Sequence, residues 1–145
     1  MLARLSSFML FFVFSINAME MTEHQGQIQC LNLEPHAFAK VVKENIDLLK
    51  SKDIAIDFIN LRDEYGKTIL RNAISLQKHE HIKIICSLNA DPFVEDENGE
   101  HAVHDTAKIG DLKTLRLLIR LHKNDIRWAA MRVDHNEGKP NSPLL

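Results

Sequence analysis

Asp63-Glu64-Tyr65-Gly66 returns 33 residues later as Asp96-Glu97-Asn98-Gly99, and the chain that follows each turn keeps the same step. At that offset Leu70 meets Val103, Ala73 meets Thr106, Ile74 meets Ala107, Ile82 meets Leu115, Ile85 meets Leu118 and Cys86 meets Ile119. Apolar positions held in register at helical spacing predict a repeated unit built from one turn and two short helices. A unit of that size cannot cover its own apolar face. The expected fold is therefore all-α, a stack in which each helix pair covers the next.

Residues 63–95 form the clearest unit. Thr68 precedes Ile69-Leu70-Arg71 and can cap a first helix by accepting from a free N–H in its opening turn. His79 to Leu88 gives the second helix, with Ile82, Ile85 and Cys86 pointing inward. Asn89 then ends it, since asparagine tolerates the left-handed conformation that stops a helix. Residues 96–133 repeat the scheme with an extended end. His101 stands at the cap, Gly110 takes the position of Gln77, and Leu112, Leu115, Leu118 and Ile119 make an apolar face.

These residues carry a family resemblance. Thr68-Ile69-Leu70-Arg71 stands at the Thr-Pro-Leu-His position of the ankyrin repeat, and Asn89-Ala90-Asp91 at its Gly-Ala-Asp. His104 occupies the motif's histidine and Asn60 the frequent asparagine ahead of the turn. The chain resembles ankyrin repeat proteins over roughly 35–145, most strongly from Asp63 to about Leu121. The resemblance implies an ankyrin-type solenoid whose helix pairs are joined by β-turn or hairpin loops. About three stacked repeats are needed for stability, so marginal stability or weak self-association through an uncovered end is expected.

The flanks depart from the motif. Residues 34–62 read as a degenerate first unit: Glu34-Pro35 opens a helix, and Ala37, Val41, Val42, Ile46 and Leu49 form a stripe. At the 33-residue offset Ile46 and Leu49 match His79 and Ile82, while Lys52 and Asp53 fall where Ile85 and Cys86 should be. A shortened or rotated second helix is expected there. Residues 19–33 are polar and without clear period, and read as a linker. Towards the end, Asp125 caps an expected helix from Ile126 to Arg132 that folds over the stack through Trp128 and Met131. Residues 134–145 read as a truncated unit that ends at Ser142-Pro143-Leu144-Leu145, where another helix is expected to begin.

Residues 1–18 have the layout of a signal peptide, with Arg4, an apolar run from Phe8 to Ile16, and small Ala18 before the cut. Export to a periplasm or beyond the cell is expected, with no membrane span after cleavage. An uncleaved membrane anchor and a start at Met19 or Met21 are the alternatives.

Composition excludes several chemistries. With 45% hydrophobic and 26% charged residues the chain is globular, and a net charge of −2 argues against a nucleic-acid surface. The eight histidines include no pair at zinc-protease spacing, and three or four converging metal ligands cannot be assembled. No nucleophile elbow or phosphate-binding glycine loop is present. Cys86 lies on an inward helix face, where a thiol is inert. Whether it pairs with Cys30 in an oxidising compartment is left open. No catalytic, metal or cofactor site is expected, and the protein is read as a non-enzyme.

What remains is surface. The resemblance implies that a partner protein, whose identity the sequence does not give, is held by the turn tips and by the open face of each first helix. The tips are Glu64, Tyr65 and Lys67, then Glu97, Asn98 and Glu100; the helix positions are Ser75, Leu76, Lys108 and Ile109. Tyr65, Leu76 and Ile109 would form an apolar strip bordered by charge. Packing of Leu76 and Ile109 against neighbouring helices is the competing reading. Two further functional readings stand beside the interaction module: a remnant of a longer ankyrin-repeat protein, non-functional or marginally stable, and a small exported hydrolase.

Overall fold

The 33-residue step is a step in space as well as in sequence. The computed structural model describes residues 23–53 and 57–127. In the first turn the Asp63 N–H donates to Lys67 O (2.8 Å) and the Gly66 N–H to Asp63 O (2.9 Å). In the second, Asp96 donates to Glu100 O (2.9 Å) and Gly99 to Asp96 O (3.0 Å). Each aspartate also caps its own turn: Asp63 Oδ1 accepts from the Tyr65 and Lys67 N–H groups, and Asp96 Oδ1 from those of Asn98 and Glu100. A short carboxylate side chain satisfies the backbone donors a tight turn leaves free. The turns close through Gly66 (φ 75°) and Gly99 (φ 72°).

Among the described residues are six α-helices: α1 Glu23–Leu31, α2 Pro35–Ser51, α3 Ile69–Ser75, α4 His79–Ser87, α5 Ala102–Ile109 and α6 Leu112–Leu121, with a short 3-10 turn at Phe58–Asn60. The all-α expectation is met. Antiparallel bridging is confined, among the described residues, to Arg62 and Thr68. Helices α3 and α4 pair, as do α5 and α6, and the pairs stack: α1, α3 and α5 lie side by side, as do α2, α4 and α6.

Helix ends follow local chemistry. Thr68 Oγ1 accepts from the Arg71 N–H, and Asp111 Oδ1 from the Thr114 N–H. The link within each pair needs one left-handed residue, supplied by Gly110 (φ 77°) in the later unit and by Gln77 (φ 54°) in the earlier one. Asn89 is also left-handed (φ 62°), as its place at the end of α4 requires. Leu70, Ala73, Ile74, Ile82 and Ile85 are buried between neighbouring units with Phe38, Val42 and Leu118. Burying a side chain of this kind contributes about 1.5–3 kcal/mol.

Three sequence expectations are corrected. Residues 23–31, read as linker, are helix α1, which packs on α3. Its hold is both apolar and polar: Cys30 and Leu31 enter the core, His24 Nδ1 meets Asp63 Oδ2 at 2.8 Å, and Asn72 Nδ2 donates to Gln27 Oε1 at 2.6 Å. Secondly, the described residues of 34–62 do not hold two short helices in register with the later units. They contain one 17-residue helix, α2, which takes the second-helix position beside α4. Its Phe38 ring lies 4.8 Å from that of His81, and His81 Nε2 contacts Leu33 O at 2.8 Å. The start of α2 therefore faces the start of α4, and Ile46 and Leu49 do not match His79 and Ile82. Thirdly, the apolar face expected on α6 is only partly covered. Leu118 is buried and Leu115 half-buried, but Leu112 and Ile119 are exposed.

Asp125 Oδ1 accepts from the Arg127 N–H, so the cap ahead of Ile126 is present. The rest of that expected helix, the signal peptide and the truncated unit lie outside the described residues.

Candidate partner-binding surface

The surface is set by how the two turns are fixed to one another. Gly66 lies so near the second turn that a Cβ there would stand 2.9 Å from the Cβ of Asp96. Arg62 Nη1 donates to Glu95 O at 3.0 Å, and Asn60 Oδ1 accepts from the Asp91 N–H at 2.7 Å.

Arg71 does most to join the units. Its side chain is almost wholly buried. Nε and Nη2 fork onto the two carboxylate oxygens of Asp105 (2.7 and 3.2 Å), while Nη1 reaches Asp96 Oδ2 (3.0 Å) and Glu100 O (2.9 Å). The planar guanidinium suits this arrangement because it presents several donors at once. Turn bonds from Glu100 and Asn98, with Arg71, hold the Asp96 carboxyl down at about 2. In the sequence, residue 71 is an arginine at the position of the motif's histidine. Its partners Asp96 and Asp105 lie 25 and 34 residues away, so nothing local marked it as a clamp.

His104 occupies the matching place in the next unit, and His101 that of Thr68. The His104 Nδ1 accepts from the His101 N–H (3.1 Å), and the two rings stack at 3.9 Å. His101 is buried, with Nδ1 unpartnered and Phe93 against its ring at 5.2 Å. Burial, with the charges of His104 and Arg71, lowers its pKa to about 4.

Within this frame the expected contact residues divide. Glu64, Tyr65, Glu97 and Asn98 are exposed at the tips, with Lys67 and Glu100 half-buried. Ser75 and Lys108 are exposed on α3 and α5. Leu76 and Ile109 follow at the ends of these neighbouring helices, 42% and 39% accessible, which argues against the reading that buries them. Lys108 Nζ pairs with Glu100 Oε1, tying helix to tip in the later unit. Ser75 Oγ turns back to Arg71 O (3.1 Å). Helix α1 adds a neighbour that sequence reasoning missed: the Tyr65 ring meets His24 edge-on at 5.1 Å, and Glu64 accepts from the His24 N–H at 2.9 Å.

Both cysteines are free and buried, and burial pushes Cys30 up to about 12 and Cys86 up to about 11. A thiol kept protonated is a poor nucleophile. Among the described residues no group of three histidine, cysteine or acidic side chains is arranged to hold a metal ion, and no helix is long and apolar enough to cross a membrane.

Comparison with known proteins gives one similarity to report. Over 82 residues, 55% of this chain, the sequence is 32% identical to BTB/POZ domain-containing protein 1 of Schizosaccharomyces pombe. The match spans only 6% of that protein's length. No family model matches the chain, and no solved structure matches it.

Proposed function

We propose that this chain is an exported ankyrin-repeat module that binds another protein and catalyses no reaction. One observation carries the reading. The 33-residue recurrence is kept in the turn bonding of Asp63 and Asp96, which sets exposed Tyr65 and the helix ends Leu76 and Ile109 on neighbouring units. Apolar side chains bordered by Glu64, Glu97 and Lys108 have the composition of a binding centre with a charged rim. Similarity to a BTB/POZ domain-containing protein also supports a protein partner. The buried, protonated thiols are poor nucleophiles, which weighs against a cysteine-based hydrolase.

The test is affinity capture with the parent and with Tyr65→Ser/Leu76→Ser/Ile109→Ser. A partner held by the parent and lost by the variant, at equal melting temperature, supports the reading; equal retention by both defeats it. Export has its own test. Mass analysis of the exported chain should find an N-terminus at Met19, and a chain still beginning at Met1 would reject cleavage.

A second reading, a remnant of a longer repeat protein, is favoured by a contrast between equivalent positions. Ile74 and Cys86 are buried under the following unit, whereas Ala107 and Ile119, 33 residues on, are exposed. Weak self-association through that face would make the melting midpoint rise with protein concentration. A midpoint constant across a hundredfold range would remove this reading's support.

A further inference from the structure

A groove of about 310 Å³ runs between α4 and α6 and shares no lining residue with the surface formed by the turns and helix ends. Buried Ile82 and half-buried Leu117 give it an apolar base, and Lys83, Lys113, Arg116 and Arg120 surround them. Helix α6 has three cations and no anion in ten residues. Their spacing of three and four puts Lys113, Arg116 and Arg120 along one stripe. Lys113 stands in the first turn, where the positive end of the helix disfavours a cation, so its charge does not serve the helix itself.

Lys83 is answered by Glu80 at 2.9 Å. Among the described residues, Lys113, Arg116 and Arg120 enter no ion pair or side-chain hydrogen bond. The groove is thus a local excess of positive charge on a chain whose net charge is −2.

We propose that this groove docks an acidic peptide segment of a protein partner, carboxylates on the rim cations and one apolar side chain over Ile82 and Leu117. The dimensions favour a short segment. Lys113 to Arg120 covers about 10 Å of helix at roughly 1.5 Å per residue, the length of three or four extended residues at about 3.3 Å each. A long polyanion would need a larger row of cations and would meet the net negative charge of the molecule. The inference stands independently of the surface assigned above, because the two share no residues.

The experiment titrates the full chain with a fluorescein-labelled 12-residue peptide, one leucine flanked on both sides by glutamates. Its lysine counterpart serves as control, and anisotropy and amide chemical shifts are the readouts. The glutamate peptide should bind and the lysine peptide should not, with shifts at Ile82, Leu117 and the α6 cations. Lys113→Glu/Arg116→Glu should weaken binding at least tenfold, whereas Leu76→Ser/Ile109→Ser should leave it unchanged. Should the glutamate variant fail to fold by circular dichroism, Lys113→Gln/Arg116→Gln decides, with a severalfold loss expected. Indifference to the groove variants, equal binding of the lysine peptide, or shifts confined to the turns would overturn the proposal. So would preferential binding to vesicles of anionic phospholipid, which would make the stripe a lipid-facing surface.

Discussion

Replacing Arg71 by methionine should cost this protein a large share of its stability. The side chain is 2% accessible and donates to Asp105 through two atoms, to Asp96 and to the Glu100 carbonyl. Methionine keeps much of the stem's apolar packing between α3 and α5 but leaves the Asp105 and Asp96 carboxylates without their cation. Removing one partner of a buried pair in this way costs about 3–5 kcal/mol. A domain of this size has about 5–15 kcal/mol in total. Urea unfolding followed by circular dichroism at pH 7 should show the midpoint falling by about 2 M, for a slope of about 2 kcal/mol/M. Arg71→Lys keeps the charge and loses the fork, so it should fall between parent and methionine variant. Arg71→Met/Asp105→Leu should recover part of the loss, because it removes the stranded carboxylate with its partner. A loss below about 1 kcal/mol for Arg71→Met, the range of an exposed ion pair, would refute the argument that this cluster joins the units.

Three more outcomes can be checked on the same protein. Gly66→Ala should cost clearly more than Gly99→Ala in a thermal melt: both glycines are left-handed, worth about 1–2 kcal/mol for an added Cβ, but only Gly66 would also press on Asp96. Acidification should destabilise the fold between pH 6.5 and about 4, because an unfolded His101 takes up a proton near 6.5 while the buried ring, beside His104, Arg71, Asp105 and Arg127, resists until about 4. His101→Thr should flatten that slope in a pH series of urea midpoints, and an unchanged slope would assign it to other groups. Leu76→Ser and Ile109→Ser should each lower the unfolding free energy by less than about 1 kcal/mol, since full burial would be worth about 1.5–3; a larger loss would mean that these side chains pack rather than face a partner.

Residues close in sequence decided much of this molecule by themselves. Asp63 and Asp96 bond to backbone groups two and four positions away, so the turns were legible from their spacing. The Thr68 cap and the left-handed Asn89 were legible for the same reason, because the interacting groups sit within one helical turn. Helix α1 was not legible. It has little apolar period, and its polar partners, Asp63 and Asn72, lie 39 and 45 residues on.

The same division applies to the surfaces. Leu76 and Ile109 could be placed at equivalent points of two units, but whether they were buried depended on which helices came to lie against them. Arg71 was only the residue at the motif's histidine position until folding brought Asp96 and Asp105 to its guanidinium. The cations of α6 could be counted from the sequence, yet their place along a groove required α4 to lie beside them. Local hydrogen bonds fix turns and caps because their partners are never far apart along the chain. Burial, long-range ion pairs and grooves exist only after separate units have stacked, so only the tertiary structure could decide them.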